Sequence, residues 1–225
     1  MFTGIIQATA HILEIEKQES AAQTERSLKF RIDTGFSDIA LGESIAINGV
    51  CLTVFEIGKS PSHAAFFASS ETLDKTNLDS LTPTSIVNLE RALPAIDVLG
   101  SPAGSPSQPV ARLSGHIVQG HVDGIGEFLS ATPSGEARSL KFHLPPRLLR
   151  YCIEKGSITI NGISLTLNTI NDAAAPNSYG EIEIMIIPHT WEHTNLKNLK
   201  PADPVNIEVD VIAKYVERLC QPFAR

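Results

Sequence analysis

The chain is poor in aromatic residues and in positive charge. Aromatics make up 6% of its 225 residues, and the formal net charge is -7. A nucleic-acid partner needs a basic groove, and a single-strand binder also needs stacking rings, so neither class fits. No apolar run approaches the roughly 20 residues that span a bilayer. The start, Met1 to Ile6 (MFTGII), lacks the basic region and cleavage site of a secretory leader. Cysteine is scarce too. Cys51, Cys152 and Cys220 are scattered, odd in number and form no CxxC pair, so a cytoplasmic setting is expected rather than a disulfide framework. Histidine offers no metal motif. His189 and His193 stand four apart, but no glutamate follows the first, and Pro188 opens a stretch that reads as β-like rather than as an HExxH helix. No metal is expected on these residues.

What the chain does contain is itself, twice. Ser27-Leu28-Lys29-Phe30 recurs as Ser139-Leu140-Lys141-Phe142, and the block from Ser44 to Thr53 recurs from Ser157 to Thr166. Thr72 to Leu78 (TLDKTNL) matches Thr190 to Leu196 (TWEHTNL), and Val87-Asn88-Leu89-Glu90 matches Val205-Asn206-Ile207-Glu208. Chance can produce one such match between short β segments, but not a series in the same order with slowly drifting offsets. The pattern is a tandem duplication.

Within each copy the period is that of strands. Leu28, Phe30 and Ile32 alternate with polar residues, as do Leu140, Phe142 and Leu144. Asn48-Gly49 and Asn161-Gly162 are turn dipeptides between apolar runs, the strongest short-range hairpin signal. Many short strands in about 90 residues suggest a small closed barrel. Pro145 to Lys155 reads as a helix, with prolines at its start and Gly156 after its end. Val211 to Leu219 carries Ile212, Tyr215, Val216 and Leu219 at helical spacing, outside the duplicated pattern. Pro94 to Arg112, with four prolines and two glycines, reads as a linker. The expected organisation is all-β, with a barrel over 1–95, a linker over 96–112, a second barrel over 113–210 and a terminal helix in 211–225.

The blocks MFTGII, GESIAINGVCLTV, SGHIVQGHVDG, KGSITINGISLTLN and VNIEVDVIAKYVERL resemble the α-chain riboflavin synthases, in order and over nearly the whole chain. The resemblance implies two six-stranded antiparallel barrels of Greek-key type, a C-terminal helix and a homotrimer. It implies transfer of a four-carbon unit between two molecules of 6,7-dimethyl-8-ribityllumazine, giving riboflavin and 5-amino-6-(D-ribitylamino)uracil without a cofactor. Association with lumazine synthase is a further possible partnership. In the first barrel the family's ligand contacts match Gly4, Ile5, Ile6, Ser44, Cys51, Leu52 and Thr53, then Phe67, Ala68, Ser69, Ser70, Glu71 and Thr72. In the second they match Gly120, His121, Val122, Lys155, Ser164, Leu165 and Thr166, then Met185, Ile186, Ile187, Pro188, His189 and Thr190. Residues implicated in turnover match Ser44, Cys51, His121 and Asp210. A lumazine protein, which shares the fold and carries the ligand without converting it, is the alternative.

A duplicated chain suits a reaction between two copies of one molecule, since positioning alone can remove about 7–11 kcal/mol from a bimolecular barrier. One copy must donate carbon and the other accept it, so the halves should differ at reactive positions. They do. Cys51 aligns with Ser164, Ile5 with His121, Ala92 with Asp210 and Glu71 with His189. Groups able to move protons near neutral pH thus concentrate in the second half. The working assignment gives His121 as acid/base and Asp210 or Ser44 as a proton relay. Cys51 or water is the transient nucleophile, and Lys155 is a stabiliser of negative charge or a ribityl contact.

Overall fold

The computed structural model describes residues 1–19, 26–58, 60, 62–94, 114–172, 175 and 178–220. The expected linker, 96–112, lies outside the described residues. The second half is a closed six-stranded barrel of β8 (Gly124–Ser134), β9 (Ala137–Leu144), β10 (Ser157–Ile160), β11 (Ile163–Asn171), β12 (Gly180–Ile186) and β13 (Pro204–Val209), paired in the order β10-β11-β12-β9-β8-β13. The first half comprises β1 (Ala8–Glu19), β2 (Arg26–Asp33), β3 (Ser44–Ile47), β4 (Val50–Thr53), β5 (Glu56–Ile57), β6 (His63–Ala68) and β7 (Ile86–Arg91). Its order, β4-β3-β7-β1-β2-β6-β5, is the same circuit with one strand interrupted between β4 and β5.

The interruption has a local cause. In β11 the equivalent of Phe55 is Asn168, whose Oδ1 accepts the Met185 N–H at 3.0 Å and carries the ladder across an irregularity between Leu167 and Thr169. Phenylalanine has no such acceptor. The Phe55 N–H instead reaches the Ala65 carbonyl at 3.1 Å, so the chain still closes back onto β6. A second irregularity occurs in both halves at matching places, between Ile12 and Glu14 in β1 and between Phe128 and Ser130 in β8. Such bulges bend a long strand so that it serves two sides of a barrel.

The alternation seen in the sequence is the inside-outside alternation of the barrels. Leu28, Phe30, Ile32, Leu140, Phe142 and Leu144 are all buried. Each half has its own core, one around Phe30 and Phe66, the other around Phe128 and Phe142. The helix expected over Pro145–Lys155 is confined to α2 (Pro146–Leu149), after α1 (Ser70–Lys75) in the first half. Tyr151 and Cys152 continue with tight i→i+3 bonds to Leu148 and Leu149. The chain must then turn into β10, which it does through Lys155 at φ +64°. The block at Pro188 is not β-like. It is helix α3 (Pro188–His193), equivalent to α1, and the rings of His189 and His193 stack at 4.2 Å. Helix α4 (Val211–Cys220) matches its expectation.

The halves meet across a local two-fold relation. Asn48 and Asn161 have φ of 47° and 46°, and Gly49 and Gly162 have 78° and 81°, as hairpin turns of the primed type require. The two turns press back to back. A Cβ on Gly49 would lie 2.7 Å from the Gly162 nitrogen, and the converse holds. Around them six asparagines form one network. Asn48 Oδ1 accepts the Asn88 N–H at 2.8 Å, and Asn161 Oδ1 accepts the Asn206 N–H at 2.9 Å. Asn88 Nδ2 donates to the Asn161 carbonyl, Asn206 Nδ2 to the Asn48 carbonyl, and Asn195 and Asn77 close the ring at Asn88 and Asn206. All six are buried, and a buried amide left unpaired would cost about 1–3 kcal/mol.

Candidate active site

Each half is completed by the leading segment of the other. Phe2 and Val118 pair as an antiparallel bridge, with N–H···O distances of 2.8 and 3.2 Å. Beyond it the segments diverge to opposite barrels. The Ser164 N–H donates to the Gly4 carbonyl and the Cys51 N–H to the Gly120 carbonyl, both at 2.8 Å. Ile6 packs on the second core and Val122 on the first. Gly4, Ile5 and Ile6 thus belong beside Ser164, and Gly120, His121 and Val122 beside Cys51. The half-by-half grouping drawn from the sequence is corrected accordingly. Glycine is required at both crossings, since Gly4 and Gly120 have φ of 77° and a Cβ on either would come within 2.6 Å of the Ser164 or Cys51 Cβ.

A matched pair of carboxylates anchors these segments. Glu90 accepts the N–H groups of Thr3 and Gly4 and the Thr3 hydroxyl at 2.7–2.9 Å. Glu208 accepts the N–H groups of Gln119, Gly120 and His121 at 2.7, 2.9 and 3.1 Å. Burial pushes both carboxyls above the ordinary carboxylate range, against the pull of these N–H groups. The signal for them was present in the repeated VNLE and VNIE blocks, whose glutamates did not enter the sequence-based site.

On the first half a cavity of about 240 Å³ is lined by Cys51, Glu71, Thr72, Lys75, Gly120 and His121, among others. Strand alternation decides which of the other candidates leave the core. Cys51 is half-buried and Thr53, Phe67 and Ser69 are exposed, whereas Leu52 and Ala68 point into the core. On the second half Ser164 is half-buried, Thr166, Met185, Ile187, Pro188 and His189 are exposed, and Leu165 and Ile186 face the core. The core-facing members can offer only backbone groups to a ligand outside the barrel. Ser70 opens α1 behind its N-cap Ser69, whose hydroxyl meets that of Thr72 at 3.3 Å. Thr190 lies one turn into α3 and its carbonyl accepts the Thr194 hydroxyl at 2.8 Å.

The four candidates for turnover are not gathered in one place. Cys51 and His121 share the first-half cavity. Ser44 starts β3 opposite Thr53, and its carbonyl accepts the Ala92 N–H at 3.2 Å. Asp210 lies in the second half, where its Oδ1 caps α4 by accepting the Ile212 N–H at 2.9 Å. It lines a groove of about 450 Å³ with Ser157, Ile153 and the first turns of α4. Lys155 is exposed in a left-handed conformation at the position where the first half has Gly42 at φ 83°. Holding a lysine there costs about 1 kcal/mol or more. His116 bridges Ser164 and Thr159 with contacts of 2.7 and 3.2 Å. Among the described residues no group of three histidine, cysteine, aspartate or glutamate side chains could hold a metal.

The model of the lumazine binding domain matches twice, over residues 3–92 and 119–210. The riboflavin synthase of Actinobacillus pleuropneumoniae is 41% identical over 219 residues, covering 97% of this chain and 89% of that protein. The chain belongs to the riboflavin synthase family. Other family members give the same picture. The riboflavin synthase of Mycobacterium bovis is 41% identical, with 97% and 98% of the two chains covered, and that of Brucella abortus is 34% identical, with 98% of each covered. In fold the chain is similar to LumP in its crystal structure with 6,7-dimethyl-8-(1'-D-ribityl) lumazine. There the TM-score is 0.71 at 21% identity, covering 93% of this chain and 99% of LumP. The family's double domain thus coincides with the two halves that exchange their leading segments.

Proposed function

We propose that the chain is a riboflavin synthase that dismutates two molecules of 6,7-dimethyl-8-ribityllumazine. One loses a four-carbon unit and leaves as 5-amino-6-(D-ribitylamino)uracil; the other gains it and becomes riboflavin. All atoms of the two substrates are in the two products, so the balance needs no oxidant, metal or organic cofactor. The observation that carries this reading is one chain with two equivalent sites of unlike chemistry, Cys51 beside Gly120–Val122 and Ser164 beside Gly4–Ile6.

The chemical roles follow the same division. The reaction begins with loss of a proton from the 7-methyl group, giving an anion spread over the ring. His121, held by the bond from its own N–H to Glu208, is the acid/base beside Cys51. Cys51 or water adds to the acceptor ring, and Lys155 meets negative charge or the ribityl chain. Thr53, Thr72, Thr166 and Thr190 supply hydroxyls for the pyrimidinedione edges and ribityl chains. Gly4 to Ile6, Gly120 to Val122, Ser69, Ser70, Glu71 and the Met185–His189 stretch complete the ligand contacts.

Asp210 lies on the other half from Ser44, Cys51 and His121, so pooling it with them needs a second chain. Helix α4 provides the means. Ile212, Tyr215, Val216 and Leu219 are 53–68% exposed, and Ile153 beside them is 68% exposed. A helix of ten residues is marginal without packing, and such a stripe is covered if three copies assemble. In a homotrimer the first half of one chain can face the second half of the next, forming a site with unlike walls. Among the described residues no helix is long and apolar enough to cross a membrane. A cytoplasmic location is part of the proposal, as is an encounter with lumazine synthase, the enzyme named for the substrate.

Incubating the purified protein with the lumazine alone tests the function. Riboflavin should appear at one molecule per two lumazines consumed. Ligand binding without riboflavin would favour the alternative, a protein of this fold that carries the ligand without converting it.

A further inference from the structure

His116 lies in the segment leading into the second half, and its ring is lodged between two hydroxyls. Nδ1 is 2.7 Å from Ser164 Oγ and Nε2 is 3.2 Å from Thr159 Oγ1. Thr159 is fully buried and Ser164 is half-buried at the crossing with Gly4. Gly115, next to His116, is packed so closely that an added Cβ would lie 2.0 Å from the Thr3 carbonyl oxygen and 3.2 Å from Ser164 Cβ. The backbone is therefore fixed at this point, with the His116 N–H donating to the Thr3 carbonyl at 3.2 Å, and the imidazole is held between two hydroxyls. At the equivalent place in the first half, Ala46 and Cys51 stand where Thr159 and Ser164 stand, in an apolar cluster with Phe2, Val118 and Ala92.

We propose that His116 is a positioning residue that fixes the Ser164 hydroxyl toward the ligand of the second half and so makes that pocket chemically unlike the Cys51 pocket. The inference rests on the reading that Ser164 contacts a lumazine. Either neutral tautomer satisfies the arrangement. With the proton on Nδ1, the ring donates to Ser164 Oγ and accepts from Thr159, and the Ser164 hydroxyl hydrogen is free to donate to the ligand. With the proton on Nε2, the ring donates to Thr159 and accepts from Ser164, whose lone pairs face the pocket. In both cases one hydroxyl rotor is held that would otherwise turn freely. Burial lowers the imidazole pKa, with the Asp210 charge opposing, so the ring is neutral around pH 7.

Side-chain reach separates this role from simple packing. Asparagine places its amide where Nδ1 lies and glutamine places its amide where Nε2 lies, so His116→Asn keeps a partner for Ser164 and His116→Gln keeps one for Thr159. His116→Phe keeps the ring and loses both. Loss of the directed bond should lower kcat about tenfold in His116→Phe and His116→Gln, while His116→Asn should recover most of it. Ser164→Ala should fall by a similar factor, and adding His116→Phe to it should lower kcat no further. Equal kcat for the asparagine and glutamine variants, or losses that only follow the thermal midpoint, would overturn the role; the asparagine–glutamine contrast decides even if the phenylalanine variant does not fold. Lumazine affinity is measured on the same variants. If the unmodified protein makes no riboflavin, the proposed function fails, and the asparagine–glutamine contrast in affinity still decides the part played by His116. If it makes riboflavin and the variants are alike, the positioning role alone fails.

Discussion

Residues 44–53 and 157–166 share register, Asn-Gly turn and buried aliphatic face, yet Ala46, Cys51 and Ala92 stand where the second half has Thr159, Ser164 and Asp210. The inward faces of the halves agree because the same small barrel must be filled in each. The outward faces differ because two identical substrates must meet different fates. Duplication followed by divergence on the outer face supplies that difference without altering either core. The leading segments add a twist, since each half presents its own strands beside residues from the other half.

The sharpest way to break the comparison is at Ile5 and His121, which align by repeat and sit at the two crossings. His121→Ala should lower kcat by about 10²–10⁴, the range for loss of a positioned acid/base, and Ile5→Ala should lower it far less. Equal losses in steady-state assays would mean that both residues only shape pockets. Next comes removal of the chain after Asp210. Lys214 pairs with Asp123 at 2.7 Å and Glu217 meets Tyr151 and Arg150, so α4 is docked on the second half and its loss also bares that surface. The truncated protein should sediment as a monomer, still bind ligand, and lose about tenfold or more in turnover. A monomer with full turnover would show that one chain forms the site unaided.

The two-fold relation can be tested at its centre. Gly49→Ala and Gly162→Ala each demand a left-handed alanine with a Cβ 2.7 Å from the opposite backbone nitrogen. Each should destabilise by about 2 kcal/mol or more, and by nearly equal amounts, in denaturant unfolding. Unequal values would mean that one half yields more readily than the other.

The smallest effect concerns acid. Because His116 is held below its ordinary value of about 6.5, the unfolded chain takes up the proton first as pH falls, so its contribution is present above that pH and is lost below it. Glu90 and Glu208 are raised, so their effect has the opposite sign and favours the folded state on acidification. Subtracting the melting profile of His116→Phe from that of the unmodified protein should isolate a decline on the acid side of pH 6.5. A flat difference would show that the ring is not held neutral.

The amino-acid sequence by itself determined the duplication, the strands and their buried faces, the two Asn-Gly turns and the terminal helix. These are written in local period and turn chemistry, which do not depend on distant partners. It also carried the family's motifs and with them the candidate residues of the site. Tertiary structure decided the rest. Pro188 to His193 became helix, and Pro145 to Lys155 became only one helical turn, because neighbours rather than propensity set the ends of such short pieces. The gap at Phe55 depends on whether residue 55 or 168 can reach an N–H on the adjacent strand. Above all, Gly4–Ile6 and Gly120–Val122 changed places. A repeat shows which residues are equivalent, but not whether each copy closes on itself or on its twin, because that choice is made by contacts far apart in the sequence, Gly4 with Ser164 and Gly120 with Cys51. His116 was hidden likewise, because its partners Thr159 and Ser164, 43 and 48 residues away, come within hydrogen-bonding reach only when the second barrel has closed.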